Sequence, residues 1–321
     1  MGKEAMIRNV AGAIVIAAVA AFCGDGSGAW AEGASWKELN DRTITLNQRG
    51  DYQDALRVGG EALESAKKTF GEANPHFATA LDSLGLVYKS MGRYADAEQL
   101  YRQALSIRET ALGKGHADVG TSFNNLGELH FAQAHYEEAE TLFKQALAIR
   151  EKALGRDHSL VAVTLNDLGD VYYFQGKYLE AEPHYERALA IREKTFTGNP
   201  LELTQPMNNL IELYIYHRKY AEAEALCKKQ LDIRTNALGM NHPDVAKSLD
   251  TMAEIYRLQQ RYKEAEPLYR RALGIDESNL GLKAPPVASI LRHLAKLCRE
   301  TGRADEAKAL EDRAWKILHS L

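Results

Sequence analysis

The stretch YEEAETLFKQALAIREKALG, residues 136–155, recurs in near copy one step of 42 residues to either side. The copies are YADAEQLYRQALSIRETALG at 94–113 and YLEAEPHYERALAIREKTFTG at 178–198. On the same step Tyr52, Tyr94, Tyr136, Tyr178, Tyr220 and Tyr262 share one column, closed by Ala304. Ala55, Ala97, Ala139, Ala181, Ala223, Ala265 and Ala307 form an unbroken second column. Leu84, Leu126, Leu168, Leu210, Met252 and Leu294 form a third. A fixed period of this length is the mark of stacked repeats, each too small to bury its apolar face alone.

Within one unit the apolar residues fall at helical spacing. From Tyr136 the series runs Ala139, Leu142, Phe143, Ala146, Leu147 and Ile149, which fits 3.6 residues per turn and not strict alternation. Between two such series lies a short turn, SMGR, AQAH or FQGK, which often carries glycine. Each unit is therefore predicted to be a pair of antiparallel helices. The alanine column lets two helix backbones approach closely. Between units, Gly113, Gly155, Gly239 and Gly281 suit a helix end, and Pro75, Pro243 and Pro285 suit the first turn of the next helix. His116, His158 and His242 share a column, one per repeat. Stacked units hold such residues about 10 Å apart, whereas a zinc ion needs ligands at about 2 Å, so they read as loop histidines near helix starts and not as metal ligands.

The motifs reached so far resemble the tetratricopeptide repeat. Its L-G-x2-Y followed by A-x3-[FY] appears as LGLVY at Leu84 with Ala97 and Tyr101, LGELH at Leu126 with Ala139 and Phe143, and LGDVY at Leu168 with Ala181 and Tyr185. The usual Trp position holds Leu81, Phe123, Leu165, Met207, Leu249 and Leu291, the closing Pro is missing, and the period is 42 residues. With LNDLGDVY and NHPDVAKSL, these departures resemble the kinesin-light-chain-like subclass and its bacterial relatives. The resemblance covers roughly residues 35 to 320. It implies an all-α fold, a right-handed α-α superhelix of about seven helix-turn-helix repeats with a concave, peptide-binding groove. The expected repeats are 35–73, 74–115, 116–157, 158–198, 199–240, 241–282 and 283–321.

Residues 1–31 stand apart. Lys3 and Arg8 precede the apolar run from Val10 to Phe22, and Ala29-Trp30-Ala31 follows. This is the pattern of a signal peptide cleaved after Ala31, which predicts an exported, periplasmic or secreted protein. The alternative is an inner-membrane anchor formed by residues 10–22.

Bulk properties exclude little. The chain has 321 residues, 45% hydrophobic and 26% charged, with a net charge of −4. Nothing in that balance calls for nucleic acid. Of the three cysteines, Cys227 and Cys298 lie in core columns of different units and are expected as buried free thiols. Two irregularities stand out. The first unit carries Arg42 and Thr43 where Leu and Gly stand elsewhere, behind a candidate capping box Ser35-Trp36-Lys37-Glu38. The unit beginning FTGNPLELTQP is expected to start its first helix late, capped by Thr204 with Pro206 in the opening turn, because proline inside a helix costs about 3 kcal/mol. The last helix ends in Trp315 and Leu318, either as an uncapped outer face or as a homo-oligomer contact.

There is no Walker loop, no G-x-S-x-G and no H-E-x-x-H, so no enzyme activity and no cofactor are expected. Pairs such as Glu98–Arg102 and Glu140–Lys144 read as solvated i,i+4 bridges. Function is left to the groove. By the resemblance, the first helices line it, and the positions transferred by register are Asn124, Asn125, Glu128, Asn166, Asp167, Asp170, Asn208, Asn209, Glu212, Asp250 and Glu254. An amide both donates and accepts, so an Asn ladder can hold the backbone of an extended chain. The alternative is that these Asn bond the adjacent unit. The expected partner is an extended protein or peptide segment, neutral to basic, held by a scaffold or adaptor. A structural spacer in the envelope and a cytoplasmic signalling adaptor are the rival readings.

Overall fold

The computed structural model describes residues 35–195, 198 and 200–319, and the signal-peptide and anchor readings lie outside the described residues. Fourteen α-helices and one 3-10 turn fill it, with no strand among the described residues. They run α1 Trp36–Arg49, α2 Tyr52–Phe70, α3 Pro75–Ser90, α4 Tyr94–Leu112, α5 Ala117–Ala132, α6 Tyr136–Leu154, α7 Ser159–Phe174 and α8 Tyr178–Thr195. After the 3-10 turn Pro200–Leu203 come α9 Thr204–Tyr216, α10 Tyr220–Leu238, α11 Pro243–Leu258, α12 Tyr262–Leu280, α13 Pro285–Glu300 and α14 Ala304–Leu318. No helix among the described residues is long and apolar enough to cross a membrane. The chain forms two compact units, one up to Ile191 and one from Arg192.

In the first unit α1–α2, α3–α4 and α5–α6 pack as hairpins, and each second helix packs against the first helix of the following hairpin. In the second unit α9–α10, α11–α12 and α13–α14 do the same. Each unit is a stack of such hairpins, and the helix-turn-helix repeats number about seven, as the period predicts. The alanine column is buried throughout: Ala55, Ala97, Ala139, Ala181, Ala223, Ala265 and Ala307 have no exposed surface. Leu63 packs against Phe77 and Leu81 of α3, Leu147 against Val161 and Leu165 of α7, and Leu273 against Val287 and Leu291 of α13. Burying a leucine fully contributes about 1.5–3 kcal/mol, and these three, partly buried, contribute less.

The Leu-Gly motif acquires a steric cause. A Cβ on Gly85, Gly127 or Gly169 would stand 2.7, 2.6 or 2.6 Å from the ring of Tyr101, Phe143 or Tyr185. Glycine lets the aromatic ring of the second helix lie on the backbone of the first. In the later repeats the two positions change together, to Ile211 with Cys227 and to Ala253 with Tyr269.

Between units the chain turns at Gly113, Gly155, Gly239 and Gly281, with φ of 83, 90, 85 and 86°. Their ψ values of 151–160° lie outside the left-handed helical well expected of a cap, in a region open to glycine almost alone. The next helix is then N-capped by a side chain from one column, except α13, where Ala284 stands in that column and offers none. Asn74 Oδ1 accepts from the His76 amide at 2.9 Å. His116, His158 and His242 do the same through Nδ1, from Asp118, Leu160 and Asp244 at 3.2, 3.1 and 3.1 Å. The loop histidines are thus helix caps, with the imidazole in the role usually taken by Asn or Ser.

At the first helix the capping box is present: Glu38 Oε2 accepts from the Ser35 amide at 2.7 Å and Ser35 Oγ from the Glu38 amide at 3.3 Å. α9 begins late, as expected, with Pro206 in its first turn. The expected cap is corrected. Thr204 is the first helical residue, and its hydroxyl donates to the Leu201 carbonyl at 2.7 Å, while Leu203 precedes the helix without a side-chain cap. The 3-10 turn Pro200–Leu203 leads into the helix instead. Cys227 and Cys298 are free and buried, and burial pushes the Cys227 thiol up to about 12.

Candidate functional site

The site residues transferred by register sit on the first helices, but they divide into two groups by exposure. Asn124, Asn166, Asp167, Asp170 and Asn209 are buried. Asn125, Glu128, Asn208, Asp250 and Glu254 are half-buried, and Glu212 is exposed.

The buried group is explained by a second column that the sequence analysis passed over. Arg108, Arg150 and Arg234 recur on the second helices with the repeat period, and all three are buried. Arg108 and Arg150 span the gap between their own first helix and the first helix of the next repeat, and Arg234 joins its own helix to the first helix of the next repeat. Arg108 Nη1 donates to Asp82 Oδ2 at 2.6 Å and to Ser122 Oγ at 2.7 Å. Arg150 Nη1 donates to Asn124 Oδ1 at 3.0 Å, the Leu160 carbonyl at 3.1 Å and Thr164 Oγ1 at 2.5 Å. Arg234 Nη1 donates to Gln230 Oε1 at 3.1 Å, the Asp244 carbonyl at 3.2 Å and Ser248 Oγ at 2.7 Å. Burial lowers the Arg150 guanidinium to about 10, with Asp167 and Glu128 acting against that shift, and it stays charged at neutral pH.

Asn124 is therefore a junction inside the stack. Besides Arg150, its Oδ1 accepts from Thr164 Oγ1 at 3.0 Å, and its Nδ2 donates to Asp167 Oδ2 at 2.9 Å and to Glu128 Oε1 at 3.1 Å. Asn208 accepts from Gln230 Nε2 at 2.6 Å. Asn124 thus bonds the adjacent unit, the alternative that the pattern left open. Asn166 Nδ2 donates to Asp170 Oδ2 at 3.3 Å, and the Tyr185 hydroxyl donates to Asp170 Oδ1 at 2.5 Å. Burial raises Asp170 to about 7, with the Tyr185 bond acting against it. Burial likewise holds Asp167 well above the usual carboxylate range, and the neighbouring Glu128 and Asp170 add to the rise.

The half-buried carboxylates carry partners. Lys89 Nζ lies 2.6 Å from Glu128 Oε2. Glu254 takes Arg257 Nη2 at 2.6 Å and the Tyr269 hydroxyl at 2.7 Å, and is held below its ordinary value although burial opposes this. His293 Nδ1 reaches both oxygens of Asp250, at 2.9 and 3.0 Å. Burial disfavours a charged His293, but the Asp250 hydrogen bond outweighs it and raises the imidazole. The acidic face read from the sequence is thus partly neutralised by Lys89, Arg257 and His293. The first two act within three residues or one repeat of their partners, a proximity the register alone does not display.

The tetratricopeptide repeat model matches residues 40–110, 78–152, 118–194, 202–278 and 251–318. The chain belongs to the tetratricopeptide repeat family, and its repeats keep a 42-residue step. Among solved structures, the apo form of RapI is 15% identical with a TM-score of 0.73, over 89% of this chain and 77% of that one. Aspartyl phosphate phosphatase F from Bacillus subtilis is 16% identical with a TM-score of 0.57, over 92% and 77%. A putative kinesin light chain with nearly identical TPR-like repeats, from Podosopora anserina, is 19% identical with a TM-score of 0.43, over 76% and 95%. No curated protein matches the chain in sequence. Likeness at these identities speaks for the fold alone. Proteins of this fold generally mediate protein–protein interactions.

Proposed function

We propose that the chain is a non-catalytic adaptor that holds an extended, polar segment of a partner protein against the first helices of its repeats. The observation that carries this reading is the recurrence, on the first helices α5, α9 and α11 but not on α7, of polar side chains that keep solvent-accessible surface: Asn125 and Glu128, Asn208 and Glu212, Asp250 and Glu254. Amides and carboxylates at helical spacing can meet the alternating donors and acceptors of an extended backbone. Because Glu128 and Glu254 already hold intrachain cations and Asp250 is bonded to His293, hydrogen bonding outweighs net charge in the selection, and the fitting segment is neutral to weakly basic. The leader pattern of residues 1–31 assigns the adaptor to the exported proteins; N-terminal sequencing of the mature chain is expected to begin at Glu32, and a start at Met1 would place it elsewhere.

The test is capture of an identified partner. The full chain is cross-linked in its native compartment, the partner is named by mass spectrometry, and its affinity is then measured with purified components. Asn125→Ala, Asn208→Ala and Glu212→Ala together are expected to weaken that affinity by at least about tenfold, the loss of one or two charge-assisted hydrogen bonds. Unchanged affinity in a variant with native circular dichroism would remove the site from this face.

A further inference from the structure

One helix face in the second unit lacks the cover that its counterparts have. Leu63, Leu105, Leu147, Leu231 and Leu273 occupy one column of the second helices, and each packs against the first helix that follows it. The last member of the column is Trp315, and among the described residues no helix follows it, so it is 60% exposed. The arginine column ends in the same place. Arg108, Arg150 and Arg234 bond the next unit, and their last counterpart is Leu318, which is 43% exposed. The leucine column stays apolar in Trp315, the largest of its members, and the arginine column turns apolar in Leu318.

The charges beside this face identify its cover. Asp305, Lys308, Asp312 and Lys316 lie exposed along α14, on the side away from the buried Ala307, Ala314 and Ile317. None of the four forms an ion pair among the described residues, whereas Glu311 and Arg313 of the same helix are bound to Arg299 and Glu277. Their signs alternate, minus, plus, minus, plus, at one-turn spacing. Read backwards the series is plus, minus, plus, minus. A second α14 laid antiparallel therefore sets Asp305 against Lys316 and Lys308 against Asp312, twice each about a two-fold axis. A parallel second copy sets like charges together, and an unrelated helix has no reason to match all four.

We propose that α14 is a self-association face, through which two copies of the chain pair by antiparallel packing of their last helices. Trp315 of one copy lies across the stem of Lys308 of the other, a cation–π contact, and Leu318 packs on the small exposed Ala304. The contact is isologous and closes at two copies. It stands on observations separate from those of the peptide face, and loss of partner capture leaves it unaffected.

Sedimentation velocity of the full chain, from about 1 to 100 µM, tests this on the scale where pairs of this size form. The expected result is a reversible monomer–dimer equilibrium. Trp315→Ala abolishes it. Lys308→Asp alone or Asp312→Lys alone places like charges across the axis and weakens it roughly tenfold, as reversal of a rim charge does. The double variant Lys308→Asp with Asp312→Lys regains the charge pairing, though not the Trp315–Lys308 contact, and so restores association above either single reversal, which a merely destabilised fold cannot do. The three substituted positions are exposed, so circular dichroism is expected to be native in every variant. A chain that stays monomeric throughout overturns the proposal, as does a dimer indifferent to the single reversals or one that the double variant fails to restore.

Discussion

A Cβ on Gly127 would lie 2.6 Å from Cε1 of Phe143, closer than real Cβ contacts come. The Leu-Gly pair and the aromatic residue one helix later are thus a single device, in which an absent side chain makes room for a ring. Gly127→Ala is expected to destabilise the first unit by about 1–3 kcal/mol, the usual cost of overpacking. Phe143→Leu in the same chain is expected to recover part of that loss, because it removes the ring. Urea denaturation of the single and double variants measures both, and simple additivity would mean that the two residues do not touch.

The hairpin turn uses one backbone conformation in successive repeats. Gly92, Gly176 and Gly302 have φ of 74, 77 and 80°, and the same column holds Ala134, Arg218 and Gln260 at 59, 58 and 61°. A residue with a Cβ is strained in the left-handed region by about 1 kcal/mol. Ala134→Gly and Gln260→Gly are each expected to stabilise by up to about 1 kcal/mol, less the extra freedom that glycine gives the unfolded chain. Thermal melts of the two variants should shift upward, while Gly176→Ala should shift downward.

The imidazole caps make a third test. His158 Nδ1 accepts from the Leu160 amide, as Asn74 Oδ1 accepts from the His76 amide two repeats earlier in the same column. His158→Ala is expected to cost about 1 kcal/mol, and His158→Asn is expected to keep or improve stability. Equal losses in both variants, read by urea denaturation, would show that the imidazole contributes packing and not a cap.

Much of this architecture was legible in the sequence because a repeat repeats its constraints. The alanine column, the Leu-Gly pair and the turn glycines each answer a steric demand that recurs at every step, so period alone exposes them. The buried arginines recur just as regularly, within the strings SIRE, AIRE and DIRT. They were passed over because a charged residue beside Glu151 reads as solvated surface until the next helix is in place. The same blindness affected the site. Asn124 and Asn125 look equivalent in sequence, yet a rotation of 100° about the helix puts one into the Arg150 network and leaves the other half-exposed. Register assigns a residue to a helix, and the contacts of the neighbouring hairpin decide which face it uses. The late start of α9 was readable from Pro200 and Pro206, but the 3-10 turn that replaces a side-chain cap was not.

The arginine column supplies a stability test of its own. Arg150 is buried and makes three hydrogen bonds through Nη1 alone, joining α5, α6 and α7. Arg150→Met keeps length and apolar stem but leaves Asn124 and Thr164 without their donor. The expected loss is about 3–5 kcal/mol, the cost of breaking a buried charged network at one member. Limited proteolysis of the variant should open the first unit. Survival of the variant unchanged would make the column dispensable filling.

Asp276 is the one member of that column with the opposite sign. It follows Arg108, Arg150 and Arg234, it is buried, and its Oδ1 has no hydrogen-bond partner. Its column neighbour in the next first helix is Ile290, where Ser122, Thr164 and Ser248 offer hydroxyls to the arginines. Burial raises the Asp276 carboxyl to about 6; Lys247 opposes the rise, and Asp250 and Asp244 add to it. The folded value lies above the value in the unfolded chain, about 3.9, so the native state holds the proton more tightly. Stability from this residue is therefore greatest below pH 4, falls as pH rises from about 4 to 6, and stays low above that window. Asp276→Asn removes the charge and the dependence together. It is expected to stabilise the second unit by roughly 1–3 kcal/mol at pH 7.5 and by little at pH 4. Urea denaturation of the wild-type chain and the variant at both pH values gives the comparison. A gain equal at the two values would assign the effect to packing, and a loss at pH 7.5 would mean that the ionised carboxylate has a partner that stabilises it.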